Sequence, residues 1–120
     1  VGNATTDSTI HRLGLITEQE VGELQALGSV GDLLGHYLDA DGNLVDHSLN
    51  NRVMALSPLK LDGVGQAVMV SGGASKVAAV RASLRGGYID TLITDEDTAN
   101  ALLDGAALDQ PGIAGANAVR

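Results

Sequence analysis

Ser71-Gly72-Gly73-Ala74-Ser75-Lys76 joins a short apolar run to a helical pattern, and its chemistry is that of an anion site. Glycines let a backbone approach an anion closely, and free N–H groups at a helix start point toward it. Lys76 adds a positive charge. A cation in the first helical turn opposes the macrodipole by roughly 0.3–1 kcal/mol, and an anion held between it and the N–H groups reverses that conflict. Arg81 and Arg85 lie further along the same pattern, where a cation is favourable, and need no ligand. The plainer alternative is a tight strand-to-helix turn followed by a solvated lysine. The Walker A pattern and the Gly-x-Gly-x-x-Gly dinucleotide fingerprint are both absent.

Two further groups could face a small ligand. In Gly31-Asp32-Leu33-Leu34-Gly35 the carboxylate of Asp32 can accept hydrogen bonds from sugar hydroxyls. It can equally close an Asx-type turn on its own backbone. In Thr94-Asp95-Glu96-Asp97 a helix cap with acids in the first turn accounts for the pattern, and Asp95 is left as an ancillary ligand contact. No metal is expected. Asp39-Ala40-Asp41-Gly42 lacks the flanking carboxylates of a calcium loop, since Tyr37 and Ser48 fall at the required ends. His36 and His47 could share a side of a hairpin but have no evident third partner. No nucleophile elbow or His-Glu-x-x-His is present.

Composition narrows the classes further. Fifteen acidic against seven basic residues leave a net charge of −8, so this stretch repels DNA rather than holding it. The chain has no Cys, no Phe and no Trp, and its aromatic residues are Tyr37 and Tyr88. Disulfides, thiolate catalysis and cysteine zinc sites are excluded. Ala, Val, Leu and Gly must fill the core, which suits close helix-on-sheet packing. No run of apolar residues is long enough to span a bilayer and no signal peptide opens the chain, so the expected compartment is the cytoplasm. Val1-Gly2-Asn3-Ala4 reads as the end of a strand entering a loop, so the chain is expected to be an excised piece.

The elements that position these groups follow from periodicity. Thr17 and Glu20 form a capping box, Val21, Leu24 and Leu27 share a face, and Gly28 stops a helix over 18–27. Alternation from Val30 to Leu38, the Asp39–Gly42 turn and Leu44-Val45 predict a β-hairpin, with a further strand at 52–56. Residues 64–70 and 88–93 read as buried parallel strands joined by a helix that ends at Gly86-Gly87. A last helix, opened by Thr94-Asp95, is expected to stop at Gly105, leaving 105–120 as a flexible tail. The fold class is α/β: a Rossmann-like parallel β-α-β-α unit plus a β-hairpin. There is no internal repeat.

In this order the motifs resemble the effector-binding domain of SorC-type sugar-responsive transcription regulators. The likeness rests on Leu13-Gly14-Leu15-Ile16, Ser29-Val30-Gly31-Asp32-Leu33-Leu34-Gly35 and Asp39-Ala40-Asp41-Gly42. It continues through Arg52-Val53-Met54-Ala55-Leu56, Ser71-Gly72-Gly73-Ala74-Ser75-Lys76, Leu84-Arg85-Gly86-Gly87-Tyr88-Ile89 and Leu92-Ile93-Thr94-Asp95-Glu96-Asp97-Thr98-Ala99. These stretches fall within residues 1–104, expected to be the C-terminal part of a sugar-binding effector domain. Ala55 stands where the family usually has glycine, and Ser71 where alanine is common.

The resemblance implies a sensor domain related in fold to ribose-phosphate isomerase and glucosamine-phosphate deaminase. It also implies a preceding half with a Thr- and Gly-rich phosphate loop, a separate helix-turn-helix DNA-binding domain, and oligomeric assembly. Asp32 and Lys76 take the positions that face the effector, with Leu34 lining it. The expected effector is a phosphorylated sugar or polyol, and no cofactor is implied. A sugar-phosphate isomerase or deaminase is the alternative, but enzyme chemistry of that kind needs a positioned acid–base pair, and none can be identified.

Overall fold

A computed structural model describes the backbone of residues 1–109, with side chains through Gly105. The architecture is α/β. A three-stranded antiparallel sheet, in the order β1 (Gly2–Asn3), β2 (Ser29–Leu33), β3 (His36–Asp39), stands beside a parallel pair, β4 (Val68–Val70) and β5 (Thr91–Ile93). The predicted parallel pair is present, with Val68, Met69 and Val70 in register with Thr91, Leu92 and Ile93. Its crossover helix is α4 (Val77–Arg85). No helix among the described residues is long and apolar enough to cross a membrane.

Side-chain alternation gives the antiparallel sheet two dissimilar faces. Leu33 and Leu38 point toward α4 and pack with Val80, Ala82, Leu92 and Leu102. Tyr37 points the other way, into a core with Ala4, Ile16, Val21, Leu24 and Leu49. The first face demands small residues. A Cβ on Gly31 would collide with the Cβ of Ala79 and the carbonyl of Gly2, so glycine there is what lets α4 lie close on β2. The second face is covered by α1 (Thr9–Arg12), α2 (Glu18–Ala26) and α3 (Ser48–Asn51). The capping box opens α2: Glu20 N–H donates to Thr17 Oγ1 at 3.1 Å, and Thr17 N–H to Glu20 Oε2 at 2.8 Å. Such a cap contributes about 1 kcal/mol.

Several expectations are corrected. The chain does not run as one strand to Leu38. It reverses at Leu34-Gly35, where φ is 54° and 81°, the left-handed pair of a tight hairpin turn. The Asp39–Gly42 turn forms as well, but the return is one bridge, Leu38 to Leu44. Residues 52–56 are not a strand. Arg52 caps α3, Met54 is fully exposed, and among the described residues no strand pairs with this segment. The two parallel strands are shorter than predicted and buried on one face only, through Met69 and Leu92, while Val68, Val70 and Ile93 are exposed. A 3-10 helix, Pro58–Gly63, occupies the approach to β4, and Tyr88 N–H is drawn back to Ser83 O at 3.2 Å before β5 begins. The last helix, α5 (Glu96–Asp109), continues through Gly105, so the expected tail does not begin there; its part over 110–120 lies outside the described residues.

An edge strand needs partners for its outward N–H and C=O groups. Asn50 supplies them to β3: its Oδ1 accepts from Tyr37 N–H at 2.7 Å, and its Nδ2 donates to Tyr37 O at 3.1 Å and Val45 O at 2.8 Å. The far turn is docked on α4 by Tyr88 Oη donating to Gly42 O at 2.6 Å and Arg85 donating to Ala40 O at 3.0 Å.

Candidate functional site

The glycine turn stands at the carboxyl end of β4, beside the carboxyl end of β5, the edge at which open α/β sheets hold ligands. Ser71 N–H extends the pairing to Ile93 O at 3.1 Å. The chain then turns at Gly73, with φ 102° and ψ 148°, a conformation open to glycine alone. Gly72 has no room for a side chain either, since a Cβ there would strike the Asp95 carboxylate.

Asp95 and Thr98 hold this turn from across the sheet. Gly73 N–H donates to Thr98 Oγ1 at 2.8 Å and to Asp95 Oδ2 at 3.2 Å. The Thr98 hydroxyl in turn donates to Asp95 Oδ2 at 2.9 Å, and Thr98 N–H donates to Asp95 Oδ1 at 2.8 Å. Asp95 is thus the N-cap of α5 and the clasp of the turn at once. The Thr98 backbone N–H, foremost among these donors, holds the Asp95 carboxyl below the usual carboxylate range. Thr98 is 1% exposed. Sequence reading passed it over, although a hydroxyl three residues after an N-cap aspartate is a signal that could have found it. The Thr94 hydroxyl beside Gly72 is buried and has no partner among the described residues.

Lys76 lies one step outside the expected position. Ala74–Lys76 is a 3-10 turn, α4 proper starts at Val77, and Lys76 is its N-cap. Lys76 N–H bonds Gly73 O at 3.0 Å. The N–H groups of Ala74 and Ser75 precede any intrahelical partner and make no other hydrogen bond among the described residues. Among those residues Lys76 makes no ion pair. An open groove of about 470 Å³ runs along this edge, with Gly73, Ala74, Val77, Asp95, Asp97, Thr98 and Ala101 in its walls and Lys76 outside them.

Asp32 and Leu34 belong to a different place, the tip of the hairpin. Asp32 is 7% exposed, and its Oδ2 accepts from Gly35 N–H at 3.0 Å, closing the two-residue turn. Its Oδ1 lies against Gly2, its β1 partner. Leu34 is exposed at the turn itself. The structure therefore brings Gly72, Gly73 and Asp95 into direct contact and joins neither Asp32 nor Leu34 to Lys76 by a hydrogen bond or ion pair among the described residues. The connection between the two places is β1, which pairs with β2 at Asp32 and packs against the 74–76 turn.

The histidines are engaged elsewhere. His47 caps α3 through Nδ1 and meets Glu23 at 2.7 Å through Nε2, while His36 Nδ1 faces Leu34 O at 3.2 Å. No cluster of three His, Asp or Glu side chains among the described residues could hold a metal ion.

A family model described as "Putative sugar-binding domain" matches residues 1–104. The erythritol catabolism regulatory protein EryD of Brucella abortus is 39% identical over 103 residues, which cover 86% of this chain and 32% of that protein. This chain thus spans about a third of that relative's length. A DeoR family transcriptional regulator from Listeria monocytogenes superposes with a TM-score of 0.79 at 27% identity, over 84% of this chain and 41% of the other. The full-length sorbitol operon regulator SorC of Klebsiella pneumoniae gives 0.73 at 27% identity, over 85% of this chain and 33% of its own. With that match spanning both sheets and the glycine turn, the chain belongs to the sugar-binding domain family of SorC-type transcription regulators.

Proposed function

We propose that this chain is the effector-sensing part of a regulator and that its ligand is a phosphorylated sugar or polyol. The observation that carries the reading is the division of labour at the glycine turn. Asp95 and Thr98 fix Gly73, while the N–H groups of Ala74 and Ser75 make no other hydrogen bond among the described residues and Lys76, without an ion pair there, follows them as the N-cap of α4. Two N–H groups and a cation at one turn are what a phosphate asks of a protein. The negative charge of Asp95 is already met by three donors, which reduces its opposition to a second anion. Asp32 holds Gly35 N–H with one oxygen, and its other oxygen, packed against Gly2, is the one left to accept from a hydroxyl. Leu34 gives the sugar ring an apolar contact. EryD and SorC carry erythritol and sorbitol in their names, which favours a polyol skeleton.

Residues 1–104 form the sensing unit in this reading, and DNA is contacted only through a helix-turn-helix domain outside this chain. The protein is a cytoplasmic homo-oligomer with no catalytic step. Effector binding changes DNA affinity by favouring one of two conformational states. The decisive experiment is calorimetric titration of the full-length regulator with a polyol phosphate and with the same polyol unphosphorylated. The phosphorylated form is expected to bind more tightly by at least about tenfold. Lys76→Ala should weaken it by about 10- to 150-fold, the loss of one charge-assisted bond of roughly 1.5–3 kcal/mol, with operator binding intact. Equal binding of both forms, or an unaffected variant, would sink the phosphate reading.

A further inference from the structure

All three histidines turn Nδ1 to a backbone group, but one does so in the opposite sense from the others. His11 Nδ1 faces Thr6 O at 2.8 Å and His36 Nδ1 faces Leu34 O at 3.2 Å, so in both rings that nitrogen carries the hydrogen and donates. A proton added at Nε2 leaves those bonds in place. His47 is the reverse. Its Nδ1 accepts from Leu49 N–H at 3.1 Å and caps α3. Its Nε2 lies 2.7 Å from Glu23 Oε2, a carboxylate oxygen that only a donor can meet. The two partners together fix the neutral ring as the Nε2–H tautomer. The imidazolium has an N–H at both nitrogens, and one of them would point at the Leu49 N–H. Cap and proton exclude each other.

We propose that His47 is a pH-sensitive latch: neutral, it holds α3 against the outer edge of β3, and protonated, it lets that contact go. The consequence falls on Asn50, in the same turn of helix, whose side chain partners Tyr37 N–H, Tyr37 O and Val45 O. Glu23 stays charged while the ring titrates, since its hydrogen bonds with His47, foremost, and with Gln19 hold its carboxyl below the usual range. The protonated ring therefore stays with Glu23 on α2, and the start of α3 gives way. The other charged groups around the ring are Glu20, closed on Arg52 at 2.9 Å, and Asp46, exposed beside it in the chain. Neither carboxylate opposes proton uptake. Leu49 is buried with Val21, Leu24 and Tyr37, so the helix loosens in place while the core persists. The latch needs no ligand and stands apart from the phosphate reading.

The test is NMR on the 120-residue chain with labelled nitrogen. The pH is lowered from about 8 to about 5, the range in which histidine side chains exchange their proton. At the upper limit the ring nitrogens of His47 should show the Nε2–H tautomer. As that ring takes up its proton, the Leu49 amide and the Asn50 side-chain amide should shift with the midpoint of His47 rather than those of His11 and His36. The Asn50 amide protons should then exchange with water about fivefold faster than the change in intrinsic rate accounts for, the share of one N-cap. His47→Asn, a good cap that does not titrate, should keep both contacts across the range and remove the step. The wild-type titration decides even if the variant fails to fold. Four results would each overturn the latch: an Nδ1–H tautomer at the upper limit, a ring still neutral at the lower one, proton uptake that leaves the Leu49 and Asn50 signals unmoved, or a step that survives His47→Asn.

Discussion

Two turns hold the candidate ligand groups, and they are closed by opposite means. The Leu34-Gly35 turn is closed by a residue three positions back, Asp32, through a single bond to Gly35 N–H. The Gly72-Gly73 turn is closed by Asp95 and Thr98, residues 22 and 25 positions further on, at the start of another helix. A locally closed turn forms with its own hairpin. A turn closed from a distance is correct only when α5 has docked, so it reports on tertiary structure and can transmit a change in it. The same contrast separates the carboxylates. Asp32 is buried with one oxygen engaged, whereas Asp95 is exposed with both engaged.

Removing the distant closure is the severest way to break the comparison. Thr98→Val keeps the volume of a fully buried side chain but deletes the hydroxyl that joins Gly73 to Asp95. The expected loss is roughly 1–3 kcal/mol of stability, the cost of stranding part-buried partners, measured by denaturant unfolding. Amide exchange at Gly73 should accelerate in the same variant while that at Gly35 does not. Both amides accelerating together would mean that the two turns form one unit.

Acid should reach the distant closure selectively. The Asp95 carboxyl is depressed below its usual 3.8, chiefly by the Thr98 N–H. A group with a lowered folded value stabilises above its unfolded value and loses that contribution as pH falls through the folded one. The Gly73 amide resonance should therefore move as pH drops below about 3.8 in the wild type. Asp95→Asn should remove that step. Asparagine remains a good N-cap but presents an N–H₂ where Gly73 needs an acceptor, so the cap survives and the clasp does not. A pH step unchanged in the variant would assign it to another carboxyl.

Legibility in the sequence follows the same division. The capping box of α2 and the Asp95 cap of α5 are each written within a few residues, the parallel β4–β5 pair follows from an apolar run, a helical pattern and a second apolar run in order, and all three are present in the structure. The strand expected at 52–56 failed because a strand is a relation between segments, and among the described residues none pairs with it. The turn at Leu34 was hidden by its own residue. Leucine at a left-handed φ runs against the steric rule, and the apolar alternation around it reads straight through. At the site, the glycine turn and Asp95 were each visible, but that Asp95 occupies Gly73 N–H was not, because two positions 22 apart in sequence carry no mark of their contact. Asn50 and Tyr37 show the same limit: one stands in for a strand on the edge of β3, the hydroxyl of the other lacks a partner among the described residues, and neither fact is local.

The mildest change sharpens the comparison from the local side. Leu34 sits at φ 54° and is 44% exposed, so its side chain contributes little packing in return for a conformation that costs an L-residue about 1 kcal/mol. Leu34→Asn should relieve that strain, since asparagine tolerates the left-handed region, and should raise stability by roughly 0.5–1 kcal/mol in denaturant unfolding. If Leu34 were only a turn residue, effector affinity would be unchanged or slightly improved. If it is the apolar contact for a sugar ring, the more stable variant should bind the polyol phosphate more weakly, by a few-fold, the share of a partly exposed apolar contact. Stability and affinity moving in opposite directions is a signature that a folding defect cannot produce. A leucine kept at a strained position against its own conformational preference then has its reason in the ligand, whereas parallel movement of the two returns Leu34 to the turn alone.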